Sequence, residues 1–227
     1  MRTLVLWDID RTLVDLSRMG GDWYREALRA VTGLDLVRLP AFGGRTERAI
    51  TMEILTSHGI EPTEEVVGSL HKSLIEIATR EYPQVAVHGR ALSGSAEALS
   101  ALASVSGVVQ SVVTGNLAEI ARQKLTAFDL HTFVDFEIGG YGSLSAFRPD
   151  LVTEALRLAT VKHGRGADSV VVIGDTEHDV EAALHHGFTA VAVATGGCTA
   201  DQLRSAGAHV VLDDLSDTGA VVRAVLQ

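Results

Sequence analysis

From about residue 86 to the C-terminus, short apolar runs alternate with longer segments that have helical periodicity. Runs of this length predict buried strands, and the periodic segments between them predict amphipathic helices. The predicted strands are 108–113, 134–138, 170–173, 190–194 and 209–212, and the predicted helices are 95–103, 117–128, 151–163, 177–187, 200–206 and a C-terminal segment. This alternation predicts the α/β class, with a doubly wound parallel sheet.

A further strand is predicted at the N-terminus, where residues 3–7 form an apolar run too short for a helix. Two aspartates, Asp8 and Asp10, follow this run directly. In an open α/β sheet, ligands bind beyond the carboxyl ends of the strands. Two carboxylates one residue apart repel each other, and a hard divalent cation with oxygen ligands would compensate them. A solvated turn that ends in a threonine cap is the alternative for this segment.

Residues 16–84 differ from the rest of the chain because they contain helical patterns and no convincing strand. The predicted helices of this part are 21–32, 46–58 and a third that begins at Thr63. We therefore expect an α-helical insertion at 16–84 and an α/β core formed by 1–15 and 85–227.

The strand 108–113 runs into Thr114, Gly115 and Asn116. A hydroxyl, a glycine and a helix N-terminus together suit an anion, because they offer a side-chain donor, close backbone approach and free N–H groups. An ordinary strand, turn and helix cap is the alternative, since Asn116 and Glu119 have the spacing of a capping box. Thr199 and Gln202 have the same spacing.

A second pair of carboxylates, Asp175 and Asp179, follows the strand 170–173. Arg148 precedes Pro149 at the start of a predicted helix, where a surface arginine without a partner is the alternative reading. Four aspartates, a threonine and an arginine thus lie at strand ends, or just before a helix, in one predicted sheet. Their convergence favours a functional site at this edge.

In this order, the segments resemble the motifs of the haloacid dehalogenase-like hydrolase superfamily, in the branch that carries a helical cap after the first strand. The resemblance is strongest to the phosphoglycolate phosphatase-like and β-phosphoglucomutase-like groups, and it covers essentially the whole chain. The matching segments are Asp8-Ile9-Asp10-Arg11-Thr12-Leu13, Thr114-Gly115-Asn116, and Gly174-Asp175 with Asp179. The resemblance implies a Rossmann-like core with an inserted α-helical cap.

Two positions depart from the family pattern. Arg11 occupies a position that is usually glycine, and its side chain either reaches the mouth of the site or is simply tolerated there. Arg148 is the best candidate for the third motif, which usually supplies lysine; arginine keeps the charge and adds a planar fork. The rival cations, Lys124 and Lys162, lie within predicted helices, so we expect both to be away from the strand ends.

The resemblance implies roles for these residues in a Mg²⁺-dependent phosphatase. Asp8 would be the nucleophile that forms an aspartyl phosphate, and Asp10 would be the general acid and base. Magnesium would be held by the Asp8 carboxylate, the Asp10 backbone carbonyl and Asp175, while Asp179 would orient the metal's waters or pair with Arg148. The groups expected to hold the phosphoryl oxygens are Thr114, Gly115, Asn116 and Arg148.

The helical insertion would then be a cap that closes over a small phosphorylated metabolite. Arg45, in the cap loop that faces the site in related proteins, would contact a second anionic group, unless it is only a solvent-exposed residue at a helix start. A sugar phosphomutase shares every core residue and stays open. A phosphonatase would need a cap lysine, and Lys72 is the only one in the cap.

Composition excludes several other classes of protein. The formal net charge of −10 makes generic binding to nucleic acid or to anionic membranes an unattractive reading. No uninterrupted apolar stretch approaches the roughly 20 residues that span a bilayer, and the start of the chain does not have the pattern of a signal peptide. A single cysteine, Cys198, fits a reducing compartment. We therefore expect a cytoplasmic protein.

Overall fold

The computed structural model describes residues 1–16 and 19–227. Its strands are, in chain order, β1 (Thr3–Trp7), β2 (Val14–Asp15), β3 (Arg90–Ala91), β4 (Val108–Thr114), β5 (Gly140–Tyr141), β6 (Ser169–Gly174), β7 (Thr189–Val193) and β8 (Val210–Leu212). Six of them form one sheet in the order β5-β4-β1-β6-β7-β8, and every pairing in it is parallel. The α/β class and the doubly wound parallel sheet are confirmed.

Nine α-helices are present in the described part of the chain. They are α1 (Gly21–Thr32), α2 (Glu47–Ser57), α3 (Glu64–His88), α4 (Ser95–Ala103), α5 (Ala118–Thr126), α6 (Pro149–His163), α7 (Glu177–His185), α8 (Ala200–Ser205) and α9 (Thr218–Leu226). Among the described residues, no helix combines the length and the apolar character needed to cross a membrane.

The sheet separates two hydrophobic layers. All five residues of β1 are buried, and their side chains alternate between the layers: Val5 and Trp7 belong to one, Leu4 and Leu6 to the other. Helices cover both faces, so a central strand meets no solvent and is apolar throughout. Because β1 lies between β4 and β6, the aspartates that follow it are in the middle of the sheet edge.

Helices α1, α2 and α3 belong to the inserted cap and pack around a third hydrophobic cluster. Leu117 and Ile120 belong to that cluster, so the cap packs against the N-terminal end of α5 in the core. The antiparallel strands β2 and β3 pair where the chain leaves and re-enters the core. Since α3 runs to His88, beyond residue 84, we propose that the insertion consists of the residues between β2 and β3.

One strand prediction is wrong. Residues 130–138 form two short 3₁₀ helices, Leu130–Phe133 and Phe136–Ile138, and the edge strand is Gly140–Tyr141. The side chain of Asp135 accepts a hydrogen bond from the backbone N–H of Glu137 at 3.1 Å. Local side-chain bonding of this kind competes with strand pairing, although the apolar pattern has the period of a strand.

One predicted helix cap is also wrong. Thr199 and Gln202 form the expected capping box at the start of α8. However, α5 begins after Leu117, and no side chain caps it. The side chain of Asn116 is turned to other partners, described below, so its capping-box spacing with Glu119 is coincidental.

Candidate active site

The candidate site lies at the carboxyl ends of the three neighbouring strands β4, β1 and β6. Trp7, the last residue of β1, lies opposite Val112 in β4 and Ile173 in β6, so the three strands end within two residues of one another at the same edge of the sheet. Asp8 and Asp175 directly follow β1 and β6, Thr114 is the last residue of β4, and all three are buried. The ligand edge predicted from the sequence therefore brings these three residues together.

Arg148 lies in the centre of this edge, although it comes from the start of α6. Its Nη2 donates to Oδ1 of Asp8 at 2.8 Å and to Oδ1 of Asp179 at 2.5 Å. The side chain of Arg148 is only 5% exposed. Removing such a charge from water is costly unless it is paired, and two carboxylates pair it here. The geometry thus agrees with the expected place of Arg148 at the site.

Asp179 uses both of its carboxylate oxygens within the protein. Oδ1 accepts from Arg148, while Oδ2 accepts from the backbone N–H of Thr176 at 3.1 Å and from its hydroxyl at 2.7 Å. The bond from the N–H of Thr176 is one half of the capping box of α7, whose other half runs from the N–H of Asp179 to the side chain of Thr176. Asp179 is therefore placed to orient Arg148 and the turn that carries Asp175.

Asp8 and Asp175 each keep one oxygen without a hydrogen-bond partner among the described residues. The Oδ1 of Asp175 accepts from the hydroxyl of Thr12 at 3.3 Å, and Oδ1 of Asp8 accepts from Arg148. A side chain at Gly196 would place its Cβ 1.6 Å from Oδ2 of Asp175, so glycine is needed there. Free carboxylate oxygens side by side are the donor set that a hard cation takes.

Asp8, Asp175 and Asp179 each offer a ligand atom within 4.8 Å of the others, and all three are buried. Burial raises the pKa of Asp8, and Asp179 and Asp10 add to this effect while Arg148 opposes it. Burial together with the charges of Asp8 and Asp179 raises the pKa of Asp175. One arginine does not balance three buried carboxylates, and a divalent cation would. The residues present therefore fit a divalent metal.

Lys124 also reaches this site, which contradicts its expected position away from the strand ends. Its Nζ donates to both carboxylate oxygens of Asp10 and to Oδ1 of Asn116, each at 2.7 Å. Helical side chains lean toward the N-terminus of their helix, and lysine has a long flexible stem. From the second turn of α5, the ammonium group thus reaches back to the strand ends. Lys162 instead contacts Asp135 and Glu137.

Asn116 links the second motif to the first. Its side-chain amide donates to Oδ2 of Asp10 and to the hydroxyl of Thr114, both at 2.7 Å. At Gly115 an added Cβ would lie 2.0 Å from the backbone oxygen of Arg45. The turn after β4 is thus held between the Asp10 segment and the cap, which requires glycine at its centre.

The cap touches this turn directly. The N–H of Glu47 donates to the carbonyl of Gly115, and the N–H of Arg48 donates to that of Gly142, both at 2.8 Å. Arg148 donates through Nη1 to the carbonyl of Gly44 at 3.1 Å. The first turn of α2 therefore satisfies its free N–H groups on the core, and the cap is docked over the strand ends.

Arg11 and Arg45 both line the cavity beneath the cap. Arg11 has a φ of 65°, in the left-handed region where glycine is least strained, and its Nε lies 3.5 Å from Asp15. The Nη1 of Arg45 lies 2.7 Å from Glu53, and its guanidinium also donates to the carbonyls of Ala41 and Ala49. Arg45 is thus engaged inside the cap.

The cavity between cap and core has a volume of about 610 Å³ and reaches from Asp8 to the cap helices. A polar pair that the sequence did not indicate lies in its wall: the hydroxyl of Tyr24 donates to Oε1 of Glu47 at 2.7 Å. Burial raises the pKa of Glu47 to about 7, despite opposing effects of Tyr24 and of the Lys124 charge. A glutamate in the first turn of a helix usually means only a helix start, so no sequence signal marked it.

Lys72 does not line the cavity; its side chain is 79% exposed and lies 4.0 Å from Glu76. The cap lysine that a phosphonatase would need is therefore not at the site. Among the described residues, the three aspartates are the only cluster of potential metal ligands, and His178 and His185 are not part of one.

Comparisons with known proteins show the family of this chain. The family model described as haloacid dehalogenase-like hydrolase matches residues 5–193. A protein of Dickeya dadantii described as "probable phosphatase IndB" is 28% identical, over 100% of this chain and 96% of its own length. A phosphoglycolate phosphatase of Pseudomonas savastanoi is 27% identical, over 93% of this chain and 76% of its own.

Among solved structures, CbbY from Rhodobacter sphaeroides, determined in complex with phosphate, has a TM-score of 0.70 to this chain. The two are 20% identical, and the alignment covers 98% of this chain and 100% of that one. This likeness shows a common fold.

Proposed function

Because the chain belongs to the haloacid dehalogenase-like hydrolase family, we propose that it is a Mg²⁺-dependent phosphatase that hydrolyses a small phosphomonoester through an aspartyl phosphate on Asp8. The phosphatase descriptions of its relatives support this reading. The observation that carries it is the position of Asp8, buried at the end of the central strand beside Arg148 and the carboxylate of Asp175.

Asp8 is the proposed nucleophile. Its Oδ1 is fixed by Arg148, while its second oxygen has no hydrogen-bond partner in the described part of the chain. One oxygen of this carboxylate attacks phosphorus, the bond to the leaving oxygen breaks, and the released alkoxide takes a proton from Asp10. Asp10 then removes a proton from the water that attacks the aspartyl phosphate, which returns Asp8 and inorganic phosphate.

A bound Mg²⁺ would neutralise negative charge on the phosphoryl group and on the carboxylates. The carboxylates of Asp8 and Asp175 and the backbone carbonyl of Asp10 would hold it. Asp179, whose oxygens are both engaged, would orient the surroundings of the metal through Thr176 and Arg148.

Arg148 and the turn of Thr114, Gly115 and Asn116 would bind the phosphoryl oxygens. Arg148 is fixed before substrate arrives, because Asp8 and Asp179 hold it. Preorganised donors of this kind stabilise charge in the transition state without reorganisation. We also propose that Lys124 is a positioning residue, which holds the carboxylate of Asp10 through contacts to both of its oxygens.

The docked cap would exclude water from the phosphoryl group during the reaction and admit the alcohol side of the substrate. Residues of the insertion line the cavity on that side. We propose a cytoplasmic location as well, on the ground that the chain has one cysteine and no second to pair with it.

A screen of phosphorylated metabolites for phosphate release, with Mg²⁺ and with excess chelator, tests the proposal. Asp8→Asn keeps the shape of the side chain and removes the nucleophile, so turnover should fall to background while the fold persists. Asp201→Asn makes the same change on an exposed side chain of α8 and should keep full activity. An Asp8→Asn protein with a tenth of the wild-type kcat would contradict the proposal.

A further inference from the structure

Glu47 is a buried acid in the wall of the cavity, on the cap side, and the mechanism above does not use it. It is 7% exposed, and only Oε1 of its carboxyl group has a hydrogen-bond partner among the described residues, the hydroxyl of Tyr24. The second oxygen is not among the buried polar atoms that lack a partner, so it is open to the cavity, where a ligand can take the place of water as its partner. Whether it is charged or neutral, this group accepts a hydrogen bond from a ligand.

Cations at the cavity are already paired within the described part of the chain. Arg148 is held by Asp8 and Asp179, and Lys124 is held by Asp10. The remaining two pairs join Arg45 to Glu53 at 2.7 Å and Arg11 to Asp15 at 3.5 Å. A second anionic group on the substrate would therefore compete with carboxylates that these cations already contact, and near Glu47 it would meet a carboxyl group.

Apolar and aromatic side chains make up most of the rest of the cap-side wall. Tyr24 and Phe42 stack with ring centroids 5.1 Å apart and an angle of 21° between their planes. The other members of this wall are Met19, Trp23, Ile50 and Leu74. A wall of this kind, with one or two polar groups that fix orientation, is typical of pockets for ring-bearing ligands. The volume of about 610 Å³ also exceeds what a two-carbon acid would fill.

We infer that the leaving alcohol carries an uncharged ring with an O–H or N–H group that donates to Glu47, and that esters of small carboxylic acids such as glycolate are disfavoured. The inference rests on the proposed phosphatase function. In the substrate complex the ring packs against the aromatic wall, and its donor reaches the free oxygen of Glu47. Specificity thus comes from the cap, while the core residues handle the phosphoryl group.

Four phosphomonoesters test the inference by kcat/KM: phosphoglycolate, benzyl phosphate, meta-(hydroxymethyl)benzyl phosphate and para-nitrophenyl phosphate. The two benzyl esters have almost the same leaving alkoxide and differ in one O–H donor. At pH 8, above the pKa of about 7 that burial gives Glu47, we expect the hydroxymethyl ester to exceed benzyl phosphate by about tenfold or more, since hydrogen bonds to charged acceptors are worth that much. We expect phosphoglycolate to be the slowest of the three non-aryl esters.

Variants of Glu47 then connect the preference to this residue. Glu47→Leu removes the acceptor and should abolish the difference between the benzyl esters, while Glu47→Gln removes the charge and should raise phosphoglycolate relative to benzyl phosphate by about tenfold. Glu65→Gln makes the same charge change on an exposed position of α3 outside the cavity and should leave every ratio unchanged.

Wild-type enzyme that hydrolyses phosphoglycolate as fast as the ring esters would overturn the inference, and so would an unchanged benzyl-ester ratio in Glu47→Leu. If para-nitrophenyl phosphate is hydrolysed in either case, the phosphatase proposal still stands. If none of the four esters releases phosphate, the proposed function itself is overturned, and the inference falls with it.

Discussion

The Nζ atom of Lys124 lies 2.7 Å from both carboxylate oxygens of Asp10, although the two residues are 114 positions apart in the chain. The same ammonium group contacts Asn116, which in turn donates to Asp10. A lysine in the second turn of α5 thus fixes the group proposed to transfer protons. Helix α5 therefore positions the proposed acid and base, Asp10, and also packs against the cap.

Removing that contact should slow the proton transfers. Lys124→Ala should lower kcat by roughly 10-fold to 10²-fold, because general acid–base catalysis is worth about 10²–10⁴-fold and only the position of Asp10 is disturbed. Lys124→Arg should recover part of the loss. The matched control is Lys162→Ala, whose lysine contacts Asp135 and Glu137. Equal kcat values for the two alanine variants would refute the role of Lys124, and a shifted pH–rate profile in Lys124→Ala alone would support it.

Asp10→Asn keeps the backbone carbonyl and removes the proton carrier. Both half-reactions should slow, yet a good leaving group such as nitrophenol needs little acid help in the first. Phosphorylated enzyme should therefore accumulate with para-nitrophenyl phosphate. Acid quenching and mass measurement of the intact protein would detect it. Failure to trap more phosphoenzyme than in wild type would count against Asp10 as acid and base.

Activity should depend wholly on a divalent cation, because Asp8 and Asp175 are buried side by side. Chelator should abolish activity and Mg²⁺ should restore it, whereas Ca²⁺, which is larger and takes more ligands, should bind and inhibit. Mg²⁺ should also raise the Tm of the wild-type protein, since a ligand that binds only the folded state stabilises it. The Tm of Asp175→Asn should not respond to Mg²⁺. Full activity of the wild-type protein in excess chelator would contradict the proposed dependence on a divalent cation.

Arg148 should matter for stability as well as for catalysis. Arg148→Ala leaves two buried carboxylates without their cation, so the free energy of unfolding should fall by about 3–5 kcal/mol at neutral pH. The value of kcat/KM should fall by roughly 10²-fold or more. Arg148→Lys keeps the charge but not the fork and should recover part of both. Urea unfolding and steady-state kinetics on the same preparations measure the two effects; wild-type values of both for Arg148→Ala would contradict this account.

Because the pKa of Glu47 is raised in the folded protein, the free energy of unfolding should fall as pH rises. Its pKa is raised by burial from an ordinary value of 4.5 to about 7, so the unfolded chain releases this proton first. Stability due to the neutral acid is complete below about pH 4.5 and is lost as pH rises to about 7. The charged groups near it are Lys124 and Asp10, and Tyr24 is its hydrogen-bond partner.

Glu47→Gln removes this titration. Relative to wild type, the variant should gain on the order of 1–3 kcal/mol in free energy of unfolding between pH 4.5 and pH 8. Urea unfolding in chelator at both pH values checks this, because the other buried acids titrate in both proteins and cancel in the difference. Glu65→Gln should follow the wild-type trend. A difference between Glu47→Gln and wild type that does not change with pH would show that Glu47 is not the titrating group.

Much of the site could be predicted from the sequence, because parallel strands impose a simple rule. Residues that directly follow neighbouring strands meet at one edge of the sheet, so Asp8, Thr114 and Asp175 were expected together and lie together. Arg148 was harder, since it starts a helix, and its assignment depended on the resemblance to a family. The prediction of a strand at 134–138 was wrong because the side chain of Asp135 accepts a hydrogen bond from the nearby backbone, and the hydrophobic pattern contains no information about such a bond.

The sequence by itself determined five of the six strands of the sheet, the order of the motifs and the aspartates at the strand ends, because these depend on local periodicity and on the direction of each strand. Only the tertiary structure decided that Lys124 reaches Asp10 and that Glu47 lies in the cavity wall. Both positions depend on how a helix is oriented over the sheet and on how the cap docks against Gly115 and Gly142. Those orientations come from the packing of side chains distant in the chain, which leaves no periodic signal near either residue.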